Sequence, residues 1–374
     1  MNMRQNSINA FLLLLRVGLW GNEARLLPYK YSLKEIYELA TEQSVVGIVA
    51  AGLEHISDLA LPKQDLFSFV GDTLQLEQRN TAMNIFIGAL VEQLTTAGIY
   101  SILVKGQGVA QCYEKPLWRA CGDVDLLFDQ ENYEKAKCYL IPLAESQEQE
   151  DRYFKHVAMT ISSWEVELHG TLRSGLWNRV EKGLEKIKDI LFNEKKVRVW
   201  NNNGTKVLLP SVNEDIILIF SHILQHFFSE GIGLRQICDW CRLLWSYKDT
   251  IDIQLLECRL HSMGVMTEWK AFAAFVVKYL GMPSNAIPFY SSEKKWRRAA
   301  DIMLDIIIET GNFGHNRDYS YYKRYPYVIR KVISFGKHSK DRIRLFSVFP
   351  LDSTKLWLRM VFTGVKKVFK DTIN

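Results

Sequence analysis

The stretch from Ile102 to Phe128 constrains this chain more than any other. Three apolar residues, Ile102, Leu103 and Val104, read as a short buried strand that breaks at Lys105-Gly106-Gln107-Gly108 and runs into a helical segment from near Val109. Gly106 and Gly108 allow the backbone to approach a ligand, and the N–H groups opening the next helix carry partial positive charge suited to an anion. A second apolar run then opens with Asp123-Val124-Asp125. On a strand the two aspartates share one face, roughly 7 Å apart along the chain, while Val124 and Leu126 point to the other. Two such carboxylates can hold Mg²⁺ (or Mn²⁺) against a triphosphate. They also occur as plain turn residues at a strand start, and the pair alone does not decide.

A second acidic face follows. Phe154 to Ile161 and Trp164 to His169 read as a β-hairpin turned by Ser162-Ser163. In its second arm Trp164, Val166 and Leu168 alternate with Glu165, Glu167 and His169, so two carboxylates and an imidazole share one side. That side is either a solvated strand face or the third carboxylate that a two-metal centre needs. His169 can orient a carboxylate, contact substrate or simply pack.

The order strand, Lys105-Gly106, helix, Arg119, Gly122-Asp123-Val124-Asp125, strand, and later Glu167-Leu168-His169, resembles the DNA polymerase beta type nucleotidyltransferase superfamily. The closest likeness is to its bacterial branch of stand-alone nucleotidyltransferase-like proteins, over about residues 85 to 175 and more thinly over 205 to 250. The resemblance implies an α+β fold: a nucleotidyltransferase-type mixed sheet with helices behind it. It implies two divalent metals, an NTP substrate and transfer of its NMP group to an acceptor hydroxyl. By family position Asp123, Asp125 and Glu167 become the catalytic carboxylates and metal ligands, with Glu167 preferred to Glu165 because it stands two residues before a histidine. Lys105, Gly106, Gly108, Arg119 and His169 fall to nucleotide binding. The chain departs from the superfamily at the turn, where Gly106-Gln107-Gly108 replaces a Gly-Ser pair. That departure favours a second reading, an inactive nucleotidyltransferase fold acting as a binding or scaffold protein.

From Pro210 a helical unit begins, with Ser211 and Glu214 spaced as a capping box before the apolar run Ile216 to Phe228. His222 and His226 lie on one helix face, and Cys238 and Cys241 follow. Both pairs sit in apolar helical patterns, so the expectation is packing rather than zinc. Arg235 and Asp239 stand one turn apart. An i, i+4 ion pair accounts for them. Relatives, however, have a similar His-x-x-x-His helix followed by an Arg-x-x-x-Asp helix, which implies that both residues belong to nucleotide binding on a helical domain closing the cleft.

Length and charge divide the remainder. The 374 residues suggest several units: a helical region over 1–84, a nucleotidyltransferase-like core over 85–209, a closing helical domain over 210–290, and a basic, aromatic-rich region over 291–374. Residues 311–374 hold eight Lys and six Arg against four Asp, a local charge of +10 in a chain of net +5. Interleaved aromatics make that segment a docked amphipathic helix, a surface for anionic membrane, or a nucleic-acid contact, with membrane ahead of nucleic acid. Phe11 to Leu15 is apolar but is cut by Arg16, too short for a signal peptide or a span. Six scattered cysteines point to a reducing, cytoplasmic location, with a peripheral position at the inner membrane surface as the variant the basic segment allows.

Overall fold

The computed structural model describes residues 3–25, 31–56, 63–229, 231–312, 344–351 and 353–355. The chain opens with α1 (Met3–Trp20), α2 (Leu33–Glu42), α3 (Val46–Leu53) and the long α4 (Lys63–Thr96). The Ser32 hydroxyl starts α2 by accepting from the Glu35 N–H at 3.3 Å, satisfying one of the donors a helix N-terminus leaves open. Glycines let α1 and α3 cross at backbone contact. A Cβ on Gly18 would lie 1.9 Å from the Ile48 carbonyl oxygen, and one on Gly52 2.0 Å from that of Leu14. Gly52→Ala is therefore expected to destabilise the protein by about 1–3 kcal/mol through overpacking. Gly71→Ala, on open helix surface with no atom within 4 Å of its Cβ, should stabilise by about 0.5–1 kcal/mol. Urea denaturation of the two variants checks both signs.

Next come β1 (Ile102–Val104), the one-turn α5 (Gly106–Ala110), β2 (Asp123–Leu127), α6 (Gln130–Leu140), the two-residue β3 (Ser146–Gln147), β4 (His156–Ile161) and β5 (Trp164–His169). The five strands form one mixed sheet in the order β1-β2-β5-β4-β3, with β2 and β5 parallel and the other pairs antiparallel. Ser162 and Ser163 turn β4 into β5 with φ of 50° and 66°, the left-handed pair that matches strand twist in a two-residue hairpin. Alternation then sorts the side chains. Val124, Leu126, Val166, Leu168, Val157 and Met159 form a core with Met83, Ile87, Leu90 and Leu94 of α4, and with α6. The opposite face carries the polar residues.

The chain continues through α7 (Asn178–Asn193), the hairpin β6 (Val197–Asn202) and β7 (Thr205–Pro210), α8 (Val212–Phe228), α9 (Leu234–Ser246), α10 (Ile253–Met263), α11 (Met266–Tyr279) and α12 (Lys294–Thr310). The capping box at Ser211 is not formed as expected. The Ser211 hydroxyl donates to the Glu214 carboxylate instead of accepting from a backbone N–H, because Glu214 is buried and pairs with Arg259 of α10. A larger core joins α1 to α3 with α7 to α12. Hydrogen bonds spanning 260 positions or more tie its ends: Arg16 Nε donates to the Tyr279 carbonyl at 2.7 Å and Trp20 Nε1 to that of Leu280 at 2.6 Å.

Of the basic C-terminal segment, Leu345 and Phe349 are buried, with Phe349 edge-on to Phe227 and Phe228. The membrane and nucleic-acid readings concern 311–374, of which 313–343, 352 and 356–374 lie outside the described residues. Among the described residues no helix is long and apolar enough to cross a membrane.

Candidate active site

Lys105 and Gly106 turn the chain from β1 into α5 with φ of 58° and 44°. For Gly106 that conformation is free, and a Cβ there would press to 3.2 Å from the Cys121 sulfur. For Lys105, at φ 58° and ψ −145°, it is strained by about 1–3 kcal/mol. The strain aims the side chain. Lys105 Nζ donates to Asp125 Oδ1 at 3.1 Å.

The parallel register sets Asp125 opposite Glu167, so alternation brings Asp123, Asp125, Glu167 and His169 to one face. One oxygen from each of Asp123, Asp125 and Glu167 lies within 4.8 Å of the others. Glu165, level with Asp123, is exposed and not in that group. His169 Nε2 sits 2.7 Å from Asp125 Oδ1 and 3.3 Å from Glu167 Oε2. A histidine that sequence reasoning missed completes the cluster: His156 Nε2 is 3.1 Å from Glu167 Oε2. The signal was present, since a two-residue turn at Ser162-Ser163 places His156 opposite His169.

The carboxylates are electrostatically unequal. The Asp125 charge, then burial and Glu167, push the Asp123 carboxyl up to about 6. Burial also acts to raise Asp125, but Lys105 and the His169 hydrogen bond outweigh it and hold that carboxyl below its ordinary value. Glu167 is depressed against its burial by hydrogen bonds from His156 and His169. Lys105 rises despite burial, through Asp125, Glu167 and Asp123, and His169 does so through hydrogen bonds to Asp125 and Glu167. The cluster is a compensated network in which Asp123 carries the uncompensated charge.

These residues line one wall of a cavity of about 390 Å³, and α8 and α9 supply the facing wall with His222, Gln225, His226, Arg235 and Asp239. Burial, with help from Lys105, holds His222 well below its ordinary value and His226 down to about 4, so both imidazoles are neutral at pH 7. Cys238 and Cys241 are fully buried in α9. The groups of potential ligands found among the described residues contain neither cysteine nor His222 or His226.

Four expected nucleotide residues, Arg119, Asp239, Arg235 and Gly108, sit differently. Arg119 and Asp239 are buried and face each other in a bidentate pair at 3.1 and 2.6 Å, and Tyr113 donates to the same carboxylate at 2.8 Å. This pair displaces the expected Arg235–Asp239 partnership and occupies the guanidinium that sequence reasoning assigned to phosphates. Arg235 instead donates from Nη1 to the Ala120 carbonyl at 2.9 Å, while its buried Nε has no hydrogen-bond partner among the described residues. Among the described residues no carboxylate forms an ion pair with it. Gly108 does not line the cavity: its hydrogen faces Leu209 of β7, where a Cβ would come within 2.6 Å. Gln107, at the place of the superfamily serine, is buried and donates to Asn80 of α4 at 2.8 Å.

The carboxylate trio is an all-oxygen donor set facing a cavity, the chemistry that suits a hard divalent cation such as Mg²⁺. A family model described as an uncharacterised nucleotidyltransferase matches residues 31–281. The match is wider than the motif-bearing stretch and takes in α2 to α4 as well as α8 to α11. No curated protein and no solved structure matches the chain.

Proposed function

Because this chain belongs to the uncharacterised nucleotidyltransferase family, we propose that its cavity binds an NTP with Mg²⁺ or Mn²⁺ and moves the NMP group to an acceptor hydroxyl. The observation that carries the reading is the convergence of Asp123, Asp125 and Glu167 on one cavity wall. Those three carboxylates would hold the metal, which when bound neutralises charge on the phosphates.

The protein's own groups do the rest by position and charge. Lys105 and Arg235 face the triphosphate from opposite walls, and His169 orients Asp125. Glu167, ionised at neutral pH, accepts the proton of the attacking hydroxyl. The oxygen of that acceptor hydroxyl then bonds to the α-phosphorus, the bond from the α-phosphorus to the bridging oxygen of the β-phosphate breaks, and pyrophosphate leaves. Arg119 serves this site through Asp239, by fixing α9 against the turn before β2. Gln107 faces away from the cavity, so the missing serine leaves the carboxylates untouched. The basic segment 311–374 remains a proposed contact for an anionic membrane or nucleic acid.

The test is incubation with each α-labelled NTP and Mg²⁺ or Mn²⁺ in cell extract. A labelled product is expected with the native protein, reduced roughly 10²–10⁴-fold by Glu167→Gln. Absence of label with every NTP would leave the scaffold reading in its place.

A further inference from the structure

The sheet carries a second donor set beside the carboxylate trio. His156 and His169 are directly opposed on β4 and β5, and Glu167 stands two residues before His169 on the same face. Both imidazoles turn Nε2 toward one atom, Glu167 Oε2, at 3.1 and 3.3 Å, with ring centroids 4.9 Å apart. All three donor atoms lie within 4.8 Å of one another, all three residues are half-buried, and all line the cavity.

We propose that His156, Glu167 and His169 form a distinct metal site for a borderline divalent ion of the Zn²⁺ class, sharing the Glu167 carboxylate with the all-oxygen site. Metal–nitrogen and metal–oxygen bonds of about 2.0–2.1 Å put tetrahedral ligands roughly 3.3–3.4 Å apart, close to both observed separations from Oε2. Two imidazoles and one carboxylate suit a borderline ion, whereas Asp123 and Asp125 offer only hard oxygen. Three protein ligands leave a fourth position open toward the cavity, the pattern of reactive rather than purely structural zinc sites. The backbone of paired strands holds the donors, so little ordering is needed on binding. Binding exchanges the 2.7 Å contact of His169 with Asp125 Oδ1 for a metal bond, leaving Asp125 to Lys105. The site also differs from the helical His222, His226, Cys238 and Cys241 group.

The inference does not depend on nucleotidyl transfer, and its test uses metal alone. The full-length protein is titrated with Zn²⁺ by calorimetry and with Co²⁺ by visible absorption, in excess Mg²⁺ to occupy the oxygen ligands. One Zn²⁺ per chain and the intense ligand-field bands of low-coordinate Co²⁺ are expected. His156→Gln should weaken Zn²⁺ binding by more than the roughly 10–100-fold that loss of an outer-shell partner costs. The Cys238→Ser/Cys241→Ser and His222→Gln/His226→Gln proteins should bind as the native one does. Where His156→Gln does not fold, His169→Gln is read in the same way. Native-like Zn²⁺ affinity in either single variant, loss of Zn²⁺ in the His222/His226 or Cys238/Cys241 variant, or no binding to the Mg²⁺-saturated native protein overturns the assignment.

Discussion

In chelating buffer at pH 7.5, Asp123→Asn is expected to stabilise the protein and Asp125→Asn to destabilise it, although both should impair the proposed transfer alike. The two carboxylates look equivalent in Asp123-Val124-Asp125, where mutual repulsion suggests that replacing both leaves the fold intact or firmer. Their surroundings separate them. Asp125 is 3% exposed and answers Lys105 and His169. Removing its charge leaves the Lys105 ammonium and the His169 ring short of their acceptor and should cost about 2 kcal/mol or more. Asp123 meets the charges of Asp125 and Glu167, and its carboxyl, raised from 3.8 to about 6, opposes folding when ionised.

The sign follows from linkage. A carboxyl whose folded value is raised favours the folded state below its unfolded value, near pH 4, and loses that favour as pH climbs through 6. The gain from Asp123→Asn should thus be near zero at pH 4 and reach about 1–3 kcal/mol above pH 7. Denaturant melts of both variants at pH 4, 5, 6 and 7.5 measure it. A destabilised Asp123→Asn protein at pH 7.5 would sink this account of the charge balance. Both variants should also lose the rise in melting temperature that Mg²⁺ with NTP gives, and lose roughly 10³-fold in activity.

Arg119→Met is expected to destabilise the protein by about 3–5 kcal/mol, because it strands the buried Asp239 carboxylate. Asp239→Asn should cost a similar amount for the converse reason. The double variant Arg119→Met/Asp239→Leu should recover much of the loss, since the two residues form one unit. Arg235→Gln should behave in the opposite way: among the described residues its head is engaged only by the Ala120 carbonyl, so stability stays within about 1 kcal/mol while NTP binding weakens about tenfold or more. Urea denaturation and NTP titration of the four variants separate the roles. If Arg119→Met keeps native stability and loses only NTP affinity, Arg119 is a phosphate ligand after all.

Local geometry was legible from residue order. Alternation in Asp123-Val124-Asp125 and in Glu165 to His169 gave the acidic faces, and Ser162-Ser163 marked the hairpin. Its register also pointed to His156, which was overlooked because one histidine on a strand has many bland explanations. The parallel pairing of β2 with β5, which makes the two faces one site, leaves no periodic trace; the family resemblance implied a mixed sheet and a third carboxylate but not this pairing. The Arg119–Asp239 pair spans 120 positions, and the i, i+4 spacing of Arg235 and Asp239 advertised a nearer partner that tertiary packing overrides. Gly108 read as room for a ligand, whereas what fills that room is Leu209. Lys105 gave no warning of its left-handed backbone, because glycine next to it seemed to supply the turn.

The ties from Arg16 and Trp20 to the end of α11 have a temporal meaning. On the ribosome α1 can meet α3 after about 55 residues, but the Tyr279 carbonyl that receives Arg16 emerges 263 residues behind it. At about 5–20 residues per second that is a wait on the order of 15–50 s. During it the nascent chain carries a paired but half-covered helix, with Arg16 and Trp20 still without their final partners. Slow translation before α11 would lengthen this interval, which is set by the distance between two helix ends rather than by the chemistry of the cavity.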